Sequence, residues 1–92
     1  MDLLVNPGTS SSVERGQIRV LIVDDHALVR EGTSQLLQRE PDMTVVGQAA
    51  AGAQANLSFD RLRIDVALID VNLPDMSGLE VARLASLSNT RR

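Results

Sequence analysis

The sequence is most easily bounded by what it lacks. It has no cysteine, tryptophan or tyrosine, and a single Phe and a single His. Its nine cationic side chains are all arginines, so lysine is absent too. Without cysteine there can be no disulfide and no thiolate metal site, which agrees with a reducing, cytoplasmic setting. No apolar run approaches the roughly 20 residues of a membrane span. Residues 1–16 have neither the cationic start nor the long apolar core of a signal peptide. The net charge of -3 offers no basic field to attract nucleic acid. Ninety-two residues allow one small domain. With 43% hydrophobic residues and almost no aromatics, its core must be built from Val, Leu, Ile and Ala, and a core of this size is marginal.

What is present alternates. Residues 1–16, with Asn6-Pro7-Gly8 and the polar run Thr9 to Ser12, read as a flexible tail. The domain proper is expected over 17–92. Ile18 to Val23 is a short, mostly apolar and β-branched run, the pattern of a strand covered on both faces. It ends in Asp24-Asp25. A helix is expected from about Ala27 to Arg39, with Val29, Leu36 and Leu37 on one face. Asp25 or His26 is placed to cap it, and Pro41 stops it. Met43 to Gly47 reads as a second strand. A second helix over about Ala53 to Arg63 has the narrow stripe Ala55, Phe59, Leu62. Asp65 to Ile69 is a third strand, again followed by an acid, Asp70. After a loop with Pro74, Ser77 and Glu80 form a capping-box pattern. That pattern opens a third helix from about Gly78 to Leu87, carrying Leu79, Ala82 and Leu84. The β-α-β-α-β-α order predicts an α/β fold with a parallel sheet and right-handed crossovers.

The chemistry sits at strand ends. Open parallel sheets bind ligands beyond the carboxyl ends of their strands. If the first and third strands are neighbours, roughly 4.8 Å apart, then Asp24, Asp25 and Asp70 converge. Clustered carboxylates stay ionised only beside a cation, and an oxygen-only donor set suits Mg²⁺ better than Zn²⁺. On this reading the site performs Mg²⁺-assisted phosphoryl transfer with one Asp as nucleophile. The spacing alone leaves a second reading open, in which strand-terminal acids simply cap helices. His26 reads as a first-turn helix residue rather than a ligand. Met43 and Met76 read as packing or loop residues, and Arg91-Arg92 as a solvated end.

Three segments carry a resemblance: IRVLIVDDHALVREG (18–32), EPDMTVVGQAAAG (40–52) and DVALIDVNLPDMSGLEVARL (65–84). Together they resemble the receiver domain of two-component response regulators, especially receivers attached to LuxR/FixJ-type DNA-binding domains. The resemblance implies a flavodoxin-like doubly wound sheet. It assigns Mg²⁺ binding to Asp24 and Asp25, phospho-acceptance to Asp70 and a metal-facing backbone carbonyl to Asn72. Pro74 and Gly78 match the loop-shaping positions four and eight residues after the acceptor. It implies a sensor histidine kinase as partner, transcriptional control as the parent's output, and an accepting module rather than an enzyme.

Departures are equally specific. Receivers of this kind have strand order 2-1-3-4-5. Nothing here matches the fourth and fifth strands or the Thr/Ser and Lys they carry, so an incomplete domain with order 2-1-3 is expected. Its third strand would be an open, apolar edge that invites self-association. Two rival readings follow from that: a fragment acting only by association through this edge, or a nonfunctional remnant.

Overall fold

The computed structural model describes residues 2–5 and 17–90. Four strands and three helices follow in the order β1 (Asp2–Val5), β2 (Ile18–Val23), α1 (Ala27–Gln38), β3 (Met43–Ala49), α2 (Gly52–Arg61), β4 (Val66–Asp70) and α3 (Gly78–Thr90). Strand β2 is central and pairs in parallel with β3 on one side and β4 on the other. This is the expected 2-1-3 order of the βαβ units.

The sheet has one strand more. Its full order is β1-β4-β2-β3. β1 runs antiparallel to β4, with Leu3 opposite Ile69, Leu4 opposite Leu68 and Val5 opposite Ala67. Two expectations are corrected here. Asp2–Val5 is a strand rather than part of a flexible tail, and β4 is not an open edge. The physical reason is the one that made an open β4 a liability: its unpaired backbone groups need partners. The run Leu3-Leu4-Val5 supplies them and packs Leu3 against the core. The rest of the expected tail, residues 6–16, lies outside the described residues.

Strand alternation sorts the two faces. Leu21, Val23, Ala67 and Ile69 face α2 and α3, where they meet Ala55, Phe59, Val81 and Ala85 in the main core. Helices α2 and α3 also pack on each other, while α1 packs on β2 and β3. On the α1 face, Ile18, Val20, Val66 and Leu68 line an apolar cavity of about 160 Å³ with Leu4, Leu37 and Met43.

The expected stripe of α2 is present, with Ala55 and Phe59 buried and Leu62 packed against the core. Two other helix faces differ from expectation. In α1, Val29 and Leu36 are exposed, and the inward positions are Arg30, Thr33, Ser34 and Leu37, an i, i+3, i+4, i+7 set. In α3, Leu79 is exposed and the buried positions are Gly78, Val81 and Ala85. In both helices several of the inward positions carry small or polar side chains, Thr33 and Ser34 in α1 and Gly78 and Ala85 in α3. Leu62, expected within α2, is extended at its end.

Candidate functional site

The strand register builds the site. Val23 lies opposite Ile69 in the parallel β2–β4 pair, so the next residues, Asp24 and Asp70, leave the sheet side by side. Asp25 follows on the same loop. One ligand atom each from Asp24, Asp25, His26 and Asp70 lies within 4.8 Å of all the others. Asp24 is buried, only 5% exposed.

The competing reading of the acids as simple caps meets specific geometry. Asp24 Oδ1 accepts from the backbone N–H of His26 at 2.9 Å, which closes a local turn before α1. His26 is the N-cap of α1 and makes no side-chain capping bond. Its ring points instead at the acids: Nδ1 is 3.1 Å from Asp24 Oδ1, 3.1 Å from Asp25 Oδ1 and 3.9 Å from Asp70 Oδ2. His26 thus takes the expected N-cap position at the start of α1, while its ring also joins the acid cluster. The only sequence signal for this is its position directly after the acid pair.

Electrostatics explain the arrangement. Two like charges 4 Å apart repel by about 4 kcal/mol at the dielectric of a protein surface. Three carboxylates this close need a positive neighbour. The hydrogen bond to Asp24, together with the charge of Asp25, raises the His26 pKa above its ordinary value. The donor set, three convergent carboxylates, is one that a hard divalent cation such as Mg²⁺ fits.

Asn72 is held beside the acceptor. Its backbone N–H donates to Asp70 Oδ1 at 3.1 Å, and it bridges to Ser77 across the loop. The loop is closed at its base by Gly78 N–H donating to Val71 C=O at 2.8 Å. Glycine is needed there because a Cβ on Gly78 would stand 2.6 Å from the Asp70 carbonyl oxygen and 2.7 Å from Val71 Cα. Ser77 Oγ accepts from Glu80 N–H at 3.2 Å, which is the serine half of the expected capping box. The Glu80 carboxylate lies 3.8 Å from Arg83.

Two further residues escape a sequence reading. Arg30 Nη1 donates to the Asp24 carbonyl oxygen at 2.7 Å, reaching back from α1 over the acid pair. Asp75 accepts from two backbone amides at the start of α2. Neither lies in a motif that names its partner.

Known proteins share this sequence pattern and this fold. The sequence model of the response regulator receiver domain matches residues 20–90. The chain is 48% identical over 67 residues to the nitrate/nitrite response regulator protein NarP of Escherichia coli, covering 73% of this chain and 31% of that protein. A crystal structure of a LuxR-family two-component response regulator from Aurantimonas matches with a TM-score of 0.76 at 32% identity, over 82% of this chain and 54% of that one. The response regulator domain of Thermotoga maritima CheB matches with a TM-score of 0.67 at 31% identity, over 78% of this chain and 54% of that one. The chain thus spans about half of these structures and about a third of that curated relative. A flavodoxin-like sheet, acids at the ends of β2 and β4, and a match over nearly the whole parallel unit place this chain in the response regulator receiver domain family.

Proposed function

We propose that this chain is the phospho-accepting module of a two-component system, with Asp70 as acceptor. The observation that carries the reading is the convergence of Asp24, Asp25 and Asp70 at the ends of two adjacent parallel strands. Asp70 Oδ1 is held by the Asn72 amide, which leaves Oδ2 facing the cluster as the nucleophile. That oxygen forms the new bond to phosphorus as the P–N bond to a kinase phosphohistidine breaks. The imidazole keeps the electron pair, and Asp70 becomes an acyl phosphate. Asp24, Asp25, Asp70 and the Asn72 carbonyl are the groups that would hold Mg²⁺. When bound, Mg²⁺ offsets the repulsion between the anionic acceptor and the phosphoryl oxygens.

The module transfers a group once and awaits hydrolysis, so it acts as a signal element rather than an enzyme. A sensor histidine kinase is the donor and the cytoplasm the setting. Transcriptional control by the parent protein is supported by a relative in Mycobacterium tuberculosis named as a DNA-binding transcriptional activator, 44% identical over 66 residues. The segment itself binds neither nucleic acid nor membrane on this reading. Among the described residues no helix is long and apolar enough to cross a membrane. The test is incubation with acetyl phosphate and Mg²⁺, followed by intact-mass analysis of the chain and of Asp70→Asn. A phosphoryl adduct on the parent chain alone supports the acceptor assignment; an equal adduct on both removes it from Asp70.

A further inference from the structure

Asp75 lies five residues beyond the proposed acceptor, at the tip of the Val71–Ser77 loop. Its Oδ1 accepts from Gly52 N–H at 2.8 Å and its Oδ2 from Ala53 N–H at 2.9 Å. Both carboxylate oxygens are thus spent on the first turn of α2, where charge-assisted bonds and the helix dipole favour an anion. The neighbouring residue reinforces the contact. A Cβ on Gly52 would stand 2.6 Å from Met76 Sδ, so helix start and loop are closely apposed.

The helix start that Asp75 grips is itself tied to the other half of the acidic site. Ala49, three residues before Gly52, accepts from Asp24 N–H through its carbonyl at 3.0 Å. The β3–α2 junction therefore bonds to Asp24 on one side and to the acceptor loop on the other. Within that loop the Asn72–Ser77 bridge and the Gly78–Val71 bond carry the restraint back to Asp70.

We propose that Asp75 is a positioning residue: its carboxylate clamps the acceptor loop to the β3–α2 junction and so fixes Asp70 and Asn72 relative to Asp24. The Asp75 side chain bonds to Gly52 and Ala53, not to the proposed metal-holding groups. The role rests on the phospho-acceptor reading of the site, and it concerns how firmly the two halves of that site are held together. Removing the clamp leaves all three carboxylates in place but lets the loop tip move. Supporting groups of this kind typically change metal affinity by 10-fold or more.

The experiment uses the whole chain, its Asp75→Ala variant and its Asp75→Asn variant. Amide NMR reads two things: exchange at Gly52, Ala53 and Asn72, and shifts on titration with Mg²⁺ alone. In Asp75→Ala the Gly52 and Ala53 amides lose protection, Asn72 exchanges about tenfold faster, β2 amides are unchanged, and Mg²⁺ binds about tenfold more weakly. Asp75→Asn, which keeps one acceptor oxygen, falls between the two. A folded Asp75→Ala chain with freed Gly52 and Ala53 amides but parental Asn72 exchange overturns the proposal. If the parent chain ignores Mg²⁺, the metal part of the proposed function fails, and Asn72 exchange still decides the clamp. If Asp75→Ala does not fold, Asp75→Asn decides by the same comparison.

Discussion

Asp65 shows how much a single buried polar side chain can hold. It is 1% exposed. Its Oδ2 accepts from Arg19 N–H at 2.9 Å, while its own N–H donates to the Arg19 carbonyl at 2.8 Å. Arg19 Nε in turn donates to the Arg63 carbonyl at 2.7 Å. These bonds pin the entry of β4 against β2 at the opposite end of the sheet from the acids. They also set the register that brings Asp70 beside Asp24. Asp65→Ala leaves the Arg19 amide without that partner in a partly buried setting, a cost of about 1 kcal/mol. Chemical denaturation followed by circular dichroism checks this: a lower midpoint with an unchanged slope is expected. The sequence placed Asp65 at the head of a strand, but nothing in its spacing announced that its partner lies 46 residues away.

The same boundary between local and distant information runs through the elements. The βαβ order, the N-terminal limit of α1 and the α2 stripe are legible because they depend on neighbours in the chain. Of the hydrophobic residues counted as inward, Leu37 is inward but Val29, Leu36 and Leu79 are exposed, because which stripe of a helix faces the sheet is decided by tertiary packing and not by periodicity alone. β1 escaped for another reason. Four residues after Met1 offer too short a pattern to separate from a tail, and their strand character arises from pairing with β4. Removal of residues 1–5 is expected to expose that edge and shift the chain toward larger species than the parent forms, measured by size-exclusion with light scattering. A truncated chain that keeps the parent's state of association with unaltered thermal unfolding would show that β1 does not protect β4.

The α2–loop junction gives a pH prediction at the same scale. Hydrogen bonds from Gly52 and Ala53 lower the Asp75 pKa below its ordinary value. A carboxylate whose folded pKa is depressed contributes stability that is present above its unfolded pKa and lost as pH falls through the folded value. Gly52 and Ala53 amide shifts should therefore hold steady through the usual carboxylate range and move only at lower pH. A midpoint at or above the ordinary aspartate value would contradict the bonded geometry.

For the molecule as a whole, the site was more legible than the fold's margins. Asp24, Asp25 and Asp70 could be read as convergent because each ends a strand of a parallel sheet, and such sheets gather function at that end. His26 could not, because a ring's direction depends on the charges around it. The sheet is doubly covered only in part. The α1 face keeps its apolar cavity of about 160 Å³, and Leu28, Val29 and Leu36 of α1 are exposed. A chain whose core has one aromatic residue, Phe59, and whose acids repel is expected to gain stability from the cation that its site fits.

The most direct test is therefore phosphorylation itself. The chain is incubated with acetyl phosphate, with Mg²⁺ and with a chelator in parallel, and intact mass is recorded for it and for Asp70→Asn. A Mg²⁺-dependent phosphoryl adduct is expected on the parent chain and none on the variant. An adduct indifferent to Mg²⁺, or one that persists in Asp70→Asn, would contradict that expectation.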